Sequence, residues 1–363
     1  MKLIARMLEN ARPRFERSGK YAAFHPVYQA ADNFFFAARD ETAYAPFGRD
    51  ALDVKRYMSL VIMALFPCLA AGVYFFGLRV LLMMLVAYAA GGTVEVLFSV
   101  IRKEEINEGL LVTGFIFPLI LPPGLPLWMV AVGMIFGVLV GKEVFGGTGR
   151  NLFNPALIGR CFLALSYPGA MTKTWLPAAR GFGGDIFANL SLFTPENVTS
   201  ATPLVMAKSG HLSSLHQLFV GRVAGSAGET SAVAIVIGGA FLLFVGVANW
   251  RTVVGVLASF IGLNLLLRAA APAHAMPVLF NLLSGGLLFG AFFMATDPIT
   301  SPVTQWGKWS YGILIGIATI LIRTFSVYVE GVMFAILLGN VFSPILDYAI
   351  KARKKPAAVK GEA

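Results

Sequence analysis

Residues 79–101 read RVLLMMLVAYAAGGTVEVLFSVI. The run holds one acid, Glu95, and one basic residue, Arg79, at its very start. A helix rising 1.5 Å per residue needs about 20 mainly apolar residues to cross the hydrocarbon of a bilayer. This stretch therefore predicts a membrane-spanning helix, and its neighbours repeat the pattern. Apolar run length predicts about ten spans: 57–77, 79–101, 109–122, 126–145, 154–168, 231–249, 252–271, 277–295, 309–325 and 329–349. The third and fifth are short and carry or border Pro118, Pro122, Pro123 and Pro155. Interrupted segments survive at membrane depth only where they face protein or a cavity, because lipid cannot satisfy freed backbone groups.

Composition agrees. Hydrophobic residues make up 57% of the chain and charged residues 13%, against about 25% charge in soluble domains. The fold expected is an all-α polytopic membrane protein. The net charge of +10 would suggest nucleic acid in a soluble protein. Here the basic residues gather at the two ends and in short turns, so they set membrane orientation and no nucleic-acid partner is expected. No short apolar stretch with a small-residue cleavage site opens the chain, so no cleaved signal is expected. Cys68 and Cys161 lie far apart in apolar runs. Neither a zinc site nor a cysteine-ligated cluster can be built from them, and packing is the ordinary reading.

Lys and Arg in the N-terminal arm, at 102–103, 142, 150, 251 and 308, and in the tail fall on one side of a ten-span layout. By the positive-inside rule that side is the cytoplasm, with both termini on it in a bacterial inner membrane. Arg268 and Arg323 fall at the other end. The expected organisation is a cytoplasmic arm at 1–56, a first membrane unit at 57–168, an extracytoplasmic loop at 169–230, a second membrane unit at 231–349 and a basic tail at 350–363. Gly109-Leu-Leu-Val-Thr-Gly-Phe-Ile-Phe117 resembles Gly286-Leu-Leu-Phe-Gly-Ala-Phe-Phe293, and Asn151-Leu-Phe-Asn-Pro155 resembles Asn340-Val-Phe-Ser-Pro344. The copies keep their order about half a chain apart. Five spans per half is an odd number, which turns the second half upside down and predicts two inverted five-helix repeats with broken helices.

Two longer motifs carry a resemblance. Lys142-Glu-Val-Phe-Gly-Gly-Thr-Gly-Arg-Asn-Leu-Phe-Asn-Pro-Ala-Leu-Ile-Gly-Arg160 and Arg49-Asp-Ala-Leu-Asp-Val-Lys-Arg56 resemble the B subunit of the sodium-translocating NADH:quinone reductase. Thr199-Ser-Ala-Thr-Pro-Leu204 and Gly225-Ser-Ala-Gly-Glu-Thr-Ser231 are closer to the homologous D subunit of the Rnf complex, a ferredoxin:NAD oxidoreductase. Both families share Met294-Ala-Thr-Asp-Pro298. The resemblance spans nearly the whole chain and leaves both complexes open.

It implies that a flavin transferase esterifies Thr202 to the phosphate of FMN. Ser200 and Ala201 leave little bulk beside that position, and Pro203 fixes the chain direction after it. Glu196 stands where the transferase pattern usually has Asp, and Ser200 where it has Gly. The stretch 225–231, with Glu229 and Thr230, either contacts that flavin or caps the helix that follows. The resemblance further implies that Asn151 and Asn154 contact a noncovalent riboflavin. The alternative is helix capping before Pro155.

It also links Gly91, Gly92 and Glu95 to quinone-type inhibitors and sodium uptake. Gly91 lies one helical turn before Glu95 and opens room for a ligand or a neighbouring helix. A carboxylate inside a span is a functional candidate by default. Asp297 and Asp347 sit at span ends and are further candidates for handling Na+ or H+, with Asp297 favoured over Asp347; the alternatives are an N-cap for Asp297 and an ion pair with Lys351 for Asp347.

No dinucleotide-binding glycine fingerprint and no transmembrane histidine pair occurs among His25, His211, His216 and His274. Substrate oxidation is therefore expected on partner subunits, and the resemblance implies an extracytoplasmic partner that also bears covalent FMN. A passive channel or secondary transporter would share the repeats and the scarcity of charge.

Overall fold

A computed structural model describes residues 54–103, 109–179, 200–272, 275–326, 328 and 330–354, together with positions 13, 15, 25 and 28. Most of the N-terminal arm, Glu196, Thr199, His274 and the end of the basic tail lie outside the described residues. Among the described residues all regular structure is helical.

The first half contains α1 (Val54–Phe76), α2 (Arg79–Arg102), α3 (Gly109–Leu119), α4 (Leu127–Gly141) and α5 (Pro155–Ser166). Three short helices follow: α6 (Pro168–Lys173), α7 (Pro203–Lys208) and α8 (Leu215–Val220). The second half contains α9 (Ala232–Val245), α10 (Trp250–Ala270), α11 (Val278–Leu283), α12 (Leu287–Phe289), α13 (Gln305–Phe325) and α14 (Val332–Lys354). A π turn over Gly290–Met294 prolongs α12. Each of the ten apolar runs thus coincides with helix. The run at 277–295 is split in two at Ser284–Gly286, and the region expected as a loop after the fifth run holds three short helices.

Among the described residues five helices are long and apolar enough to cross a membrane: Arg56–Phe76, Arg79–Arg102, Leu127–Phe145, Trp250–Ala270 and Val332–Arg353. Gly109–Leu119, Pro155–Ser166 and Ala232–Val245 are apolar but shorter. The outward-facing surface is apolar, and several polar side chains lie inside an otherwise apolar core. Phe66, Leu85, Phe244 and Leu266 point outward, whereas Arg79, Thr252, Asn264 and Arg323 are buried. An apolar rim around polar side chains is what a lipid solvent selects.

The two halves share one pairing scheme. In the first, α2 packs on α4, α4 on α5, and α3 touches both α1 and α5. In the second, α10 packs on α13, α13 on α14, and the α12 segment touches both α9 and α14. The halves join through α1 against α9 and α5 against α14. At the α10–α13 crossing a Cβ on Gly312 would lie 2.6 Å from Thr252 O, so only glycine lets these backbones approach.

Broken third helices leave backbone carbonyls without partners. Buried guanidinium groups take them in both halves. Arg79 donates from Nε to Pro123 O and from Nη2 to Leu125 O, each at 3.0 Å. Arg323 donates to Asn281 O at 2.6 Å and Ser284 O at 3.0 Å. The loop at 225–231 also turns inward, where Ala227 N–H and Gly228 N–H donate to Leu121 O and Leu119 O at the end of α3. These bonds satisfy the backbone that irregular segments would otherwise leave bare.

Candidate functional site

Two separate cavities gather half of the sequence-derived residues: Thr202, Glu229 and Thr230 line one, and Asn151, Asn154 and Asp297 the other. Thr202 is the N-cap residue of α7, with extended dihedrals (φ −67°, ψ 153°), yet its side chain makes no capping hydrogen bond. Pro203 starts the helix, as its missing N–H permits. The sequence reading has this hydroxyl in an accessible loop; the structure buries Thr202 to 6% exposure. It faces a small cavity that it shares with Ser226, Glu229, Thr230 and Glu330. Ser200, Ala201 and Arg222 line a wider hollow on the other side of Pro203. The structure therefore brings Thr202 together with the stretch at 225–231. Within that stretch Ser231 caps α9 by accepting from Ala234 N–H at 3.4 Å, so capping and cavity lining fall to different residues of one motif.

Glu229 sits under Thr202 in a charged cluster. Arg160 Nη1 donates to Glu229 Oε1 at 3.0 Å, and Arg160 Nη2 pairs with Glu330. Burial, opposed by Arg160, pushes the Glu229 carboxyl up to about 7. Its Oε2 is buried, and among the described residues no geometric hydrogen bond reaches it. The sequence reading missed Arg160, Arg222 and Arg323. Position alone gave no signal, because Arg160 lies within an apolar segment with its partners 69 and 170 residues away.

The second cavity is lined by Asn151, Asn154, Lys142, Thr148 and Asp297 among apolar neighbours such as Ile116, Leu242 and Phe293. Its few polar groups on an apolar wall are the kind of lining that orients a ring-shaped ligand. Asn151 accepts from Gly149 N–H at 3.2 Å and donates to Phe153 O at 3.0 Å. Asn154 caps α5 by accepting from Ala156 N–H at 3.0 Å. Capping before Pro155 is thus present, and it leaves the Asn154 NH2 to donate elsewhere. Asp297 accepts from Ile299 N–H at 3.2 Å and from the Thr300 hydroxyl at 3.1 Å, which makes it a local cap that also faces the asparagine cavity.

The two repeated motifs meet here. Asn340 lies 2.7 Å from the Tyr311 hydroxyl. Turned to suit its neighbours, its amide oxygen accepts from Asn154 N–H at 3.3 Å.

Glu95 is not among the residues lining that cavity. Its carboxylate takes a hydrogen bond from Lys142 Nζ at 2.7 Å, with both side chains buried. Lys142 lines the asparagine cavity and also a polar hollow that is lined by Glu95, Arg102 and Glu143. Gly91 is covered by a neighbouring helix: a Cβ there would lie 2.6 Å from Met134 Cε. A Cβ on Gly92 would lie 3.7 Å from Leu110. The space beside Glu95 is thus taken up by packing against α3 and α4. Asp347 is remote from both cavities. It accepts from Val303 N–H at 2.7 Å and Thr304 N–H at 2.9 Å, tying α14 to the start of α13.

The model of the NQR2, RnfD, RnfE family matches residues 41–355. The chain is 38% identical to the B subunit of the Na(+)-translocating NADH-quinone reductase of Ectopseudomonas mendocina (strain ymp), over 96% of each chain. It is 38% identical to the protein of that name from Klebsiella pneumoniae subsp. pneumoniae, over 96% of this chain and 97% of that one. Identity to the Yersinia pestis protein is 37%, over 99% of this chain and 100% of the relative.

Proposed function

The chain belongs to the NQR2, RnfD, RnfE family, and on that premise we propose that it is a membrane subunit of a sodium-translocating NADH:quinone reductase. In this reading it carries electrons through FMN esterified to Thr202 and a noncovalent riboflavin at Asn151 and Asn154 toward quinone. The carrying observation is that these two residue sets line separate cavities in one helical bundle. The names of the relatives favour the quinone reductase over the Rnf complex.

The residues present fit flavins. The Thr202 hydroxyl has no capping role to lose on esterification. Arg222 beside Ser200 and Ala201 offers a guanidinium to a phosphodiester. Modification requires the α7 start to open, because Thr202 is buried in the bare chain. In the other cavity Asn154 would offer its NH2 to a ring carbonyl, Asp297 lines the same cavity, and the apolar wall would limit water access. Bound flavins supply one-electron chemistry; the chain fixes their position and their electrostatics.

NADH oxidation falls to a partner subunit, since no dinucleotide fingerprint occurs here. Further partners are the extracytoplasmic subunit with its own covalent FMN and the flavin transferase. The chain sits in the bacterial inner membrane with both termini cytoplasmic, and Na+ is the translocated ion. Mass spectrometry of the Thr202 peptide, from cells expressing the transferase, tests the central claim. The expected mass is the peptide plus FMN less water, and Thr202→Ala removes the fluorescent band on a denaturing gel. A bare peptide under those conditions overturns the reading.

A further inference from the structure

The small cavity under Thr202 has a donor set of one kind. Every polar side chain lining it ends in oxygen: Thr202, Ser226, Glu229, Thr230 and Glu330. Among the described residues no three His, Cys, Asp or Glu side chains gather as a multivalent metal site would need. Hydroxyl and carboxylate oxygens without nitrogen or sulfur suit a hard cation. The open space accommodates about one water-sized particle.

The second observation is the bare oxygen of Glu229. The residue is 4% exposed, and Oε2 is buried without a geometric hydrogen bond among the described residues while Oε1 takes Arg160. A buried carboxylate oxygen is rarely left so. The Ser226 hydroxyl lies close enough to act on the Glu229 carboxylate, and the other surrounding donors are engaged elsewhere. Arg160 Nη2 serves Glu330 and lies 3.5 Å from Ser226 Oγ. Thr230 Oγ1 donates to Ser226 O at 3.4 Å. Arg323 is turned to the carbonyls of Asn281 and Ser284.

We propose that this cavity binds one dehydrated monovalent cation of sodium size, held by Glu229 Oε2 and the hydroxyls around it. The site lies between the flavin-bearing position and the broken helix at Ser284–Gly286. With both carboxylates ionised, Arg160 and Arg323 balance Glu229 and Glu330 in charge. A phosphodiester on Thr202 adds one negative charge beside them, and in that respect the proposal rests on the flavin reading. Cation binding here then responds to what Thr202 carries.

The test uses the full chain, co-expressed with the transferase and reconstituted in lipid nanodiscs. Sodium chloride is titrated by calorimetry against a choline chloride background. Glu229→Gln is expected to weaken one sodium site about tenfold or more. Thr230→Val leaves the Arg160 pair intact and is expected to weaken the same site. Thr202→Ala, checked by mass for loss of flavin, is expected to keep a weaker site that still depends on Glu229. Isotherms unchanged by both Glu229→Gln and Thr230→Val in folded protein overturn the proposal. So does a high-resolution map with only water in the cavity at saturating sodium. Flavin content is read separately, so a missing flavin and a missing cation are distinguishable.

Discussion

Lys142 Nζ donates to Glu95 Oε1 at 2.7 Å inside the protein, across 47 residues of sequence. Lys142 stands just past the C-terminus of α4, where a cation also meets the free carbonyl ends of the helix. Removing one member leaves the other charge buried and alone. Lys142→Met or Glu95→Gln alone is therefore expected to lower stability by about 3–5 kcal/mol. The double variant is expected to lose clearly less than the sum. Thermal unfolding in detergent of the four proteins of this cycle checks it, and additive losses would deny the coupling.

Glu229 occupies the place where Gly286 has no side chain: a Cβ there would lie 2.6 Å from Glu229 Cδ. Gly286→Ala is expected to displace the carboxylate from Arg160 and to destabilise by about 1–3 kcal/mol. Gly262, on the outer face of α10, has nothing within 4 Å of its added Cβ. Gly262→Ala is expected to be neutral or stabilising by up to about 1 kcal/mol, as glycine is a weak helix former. Paired unfolding curves separate the two cases.

Asn154 caps α5 and lines the asparagine cavity, and the two roles can be parted. Serine at an N-cap works nearly as well as asparagine but carries no amide. Asn154→Ser is expected to keep the melting temperature and lose noncovalent riboflavin. Asn154→Ala is expected to lose the flavin and about 0.5–2 kcal/mol of stability. Extracted flavin assayed beside unfolding decides; flavin retained in Asn154→Ser would make the residue a cap alone.

Glu229 faces Arg160 from α5, Ser226 from its own loop and Glu330 ahead of α14, with Arg323 nearby. Burial pushes its carboxyl up to about 7, whereas an unfolded glutamate titrates near about 4.3. Between those values the folded chain holds the extra proton, so this group's contribution to stability falls as pH rises through the window. Melting temperatures measured from pH 5 to pH 8 in choline chloride are expected to drop, and Glu229→Gln is expected to flatten that slope. A slope unchanged by the substitution would assign the effect to another group.

The sequence by itself determined the membrane fold, the ten helical runs and stretches that line the two cavities. Each of these is local. Apolar run length answers to bilayer thickness, a proline breaks its own turn, and motifs such as 142–160 lie contiguous in the chain. The pairing of motif halves was partly legible too, since Asn154 and Asn340 came from matching stretches and do meet. Only the tertiary structure decided what each polar residue does. It turned Gly91 toward Met134, gave Asp347 to the start of α13, hid Thr202 and drew Arg160 to Glu229 and Glu330. Those partners lie tens to hundreds of residues apart, and an ion pair in a low-dielectric interior forms only once packing has excluded water from both ends.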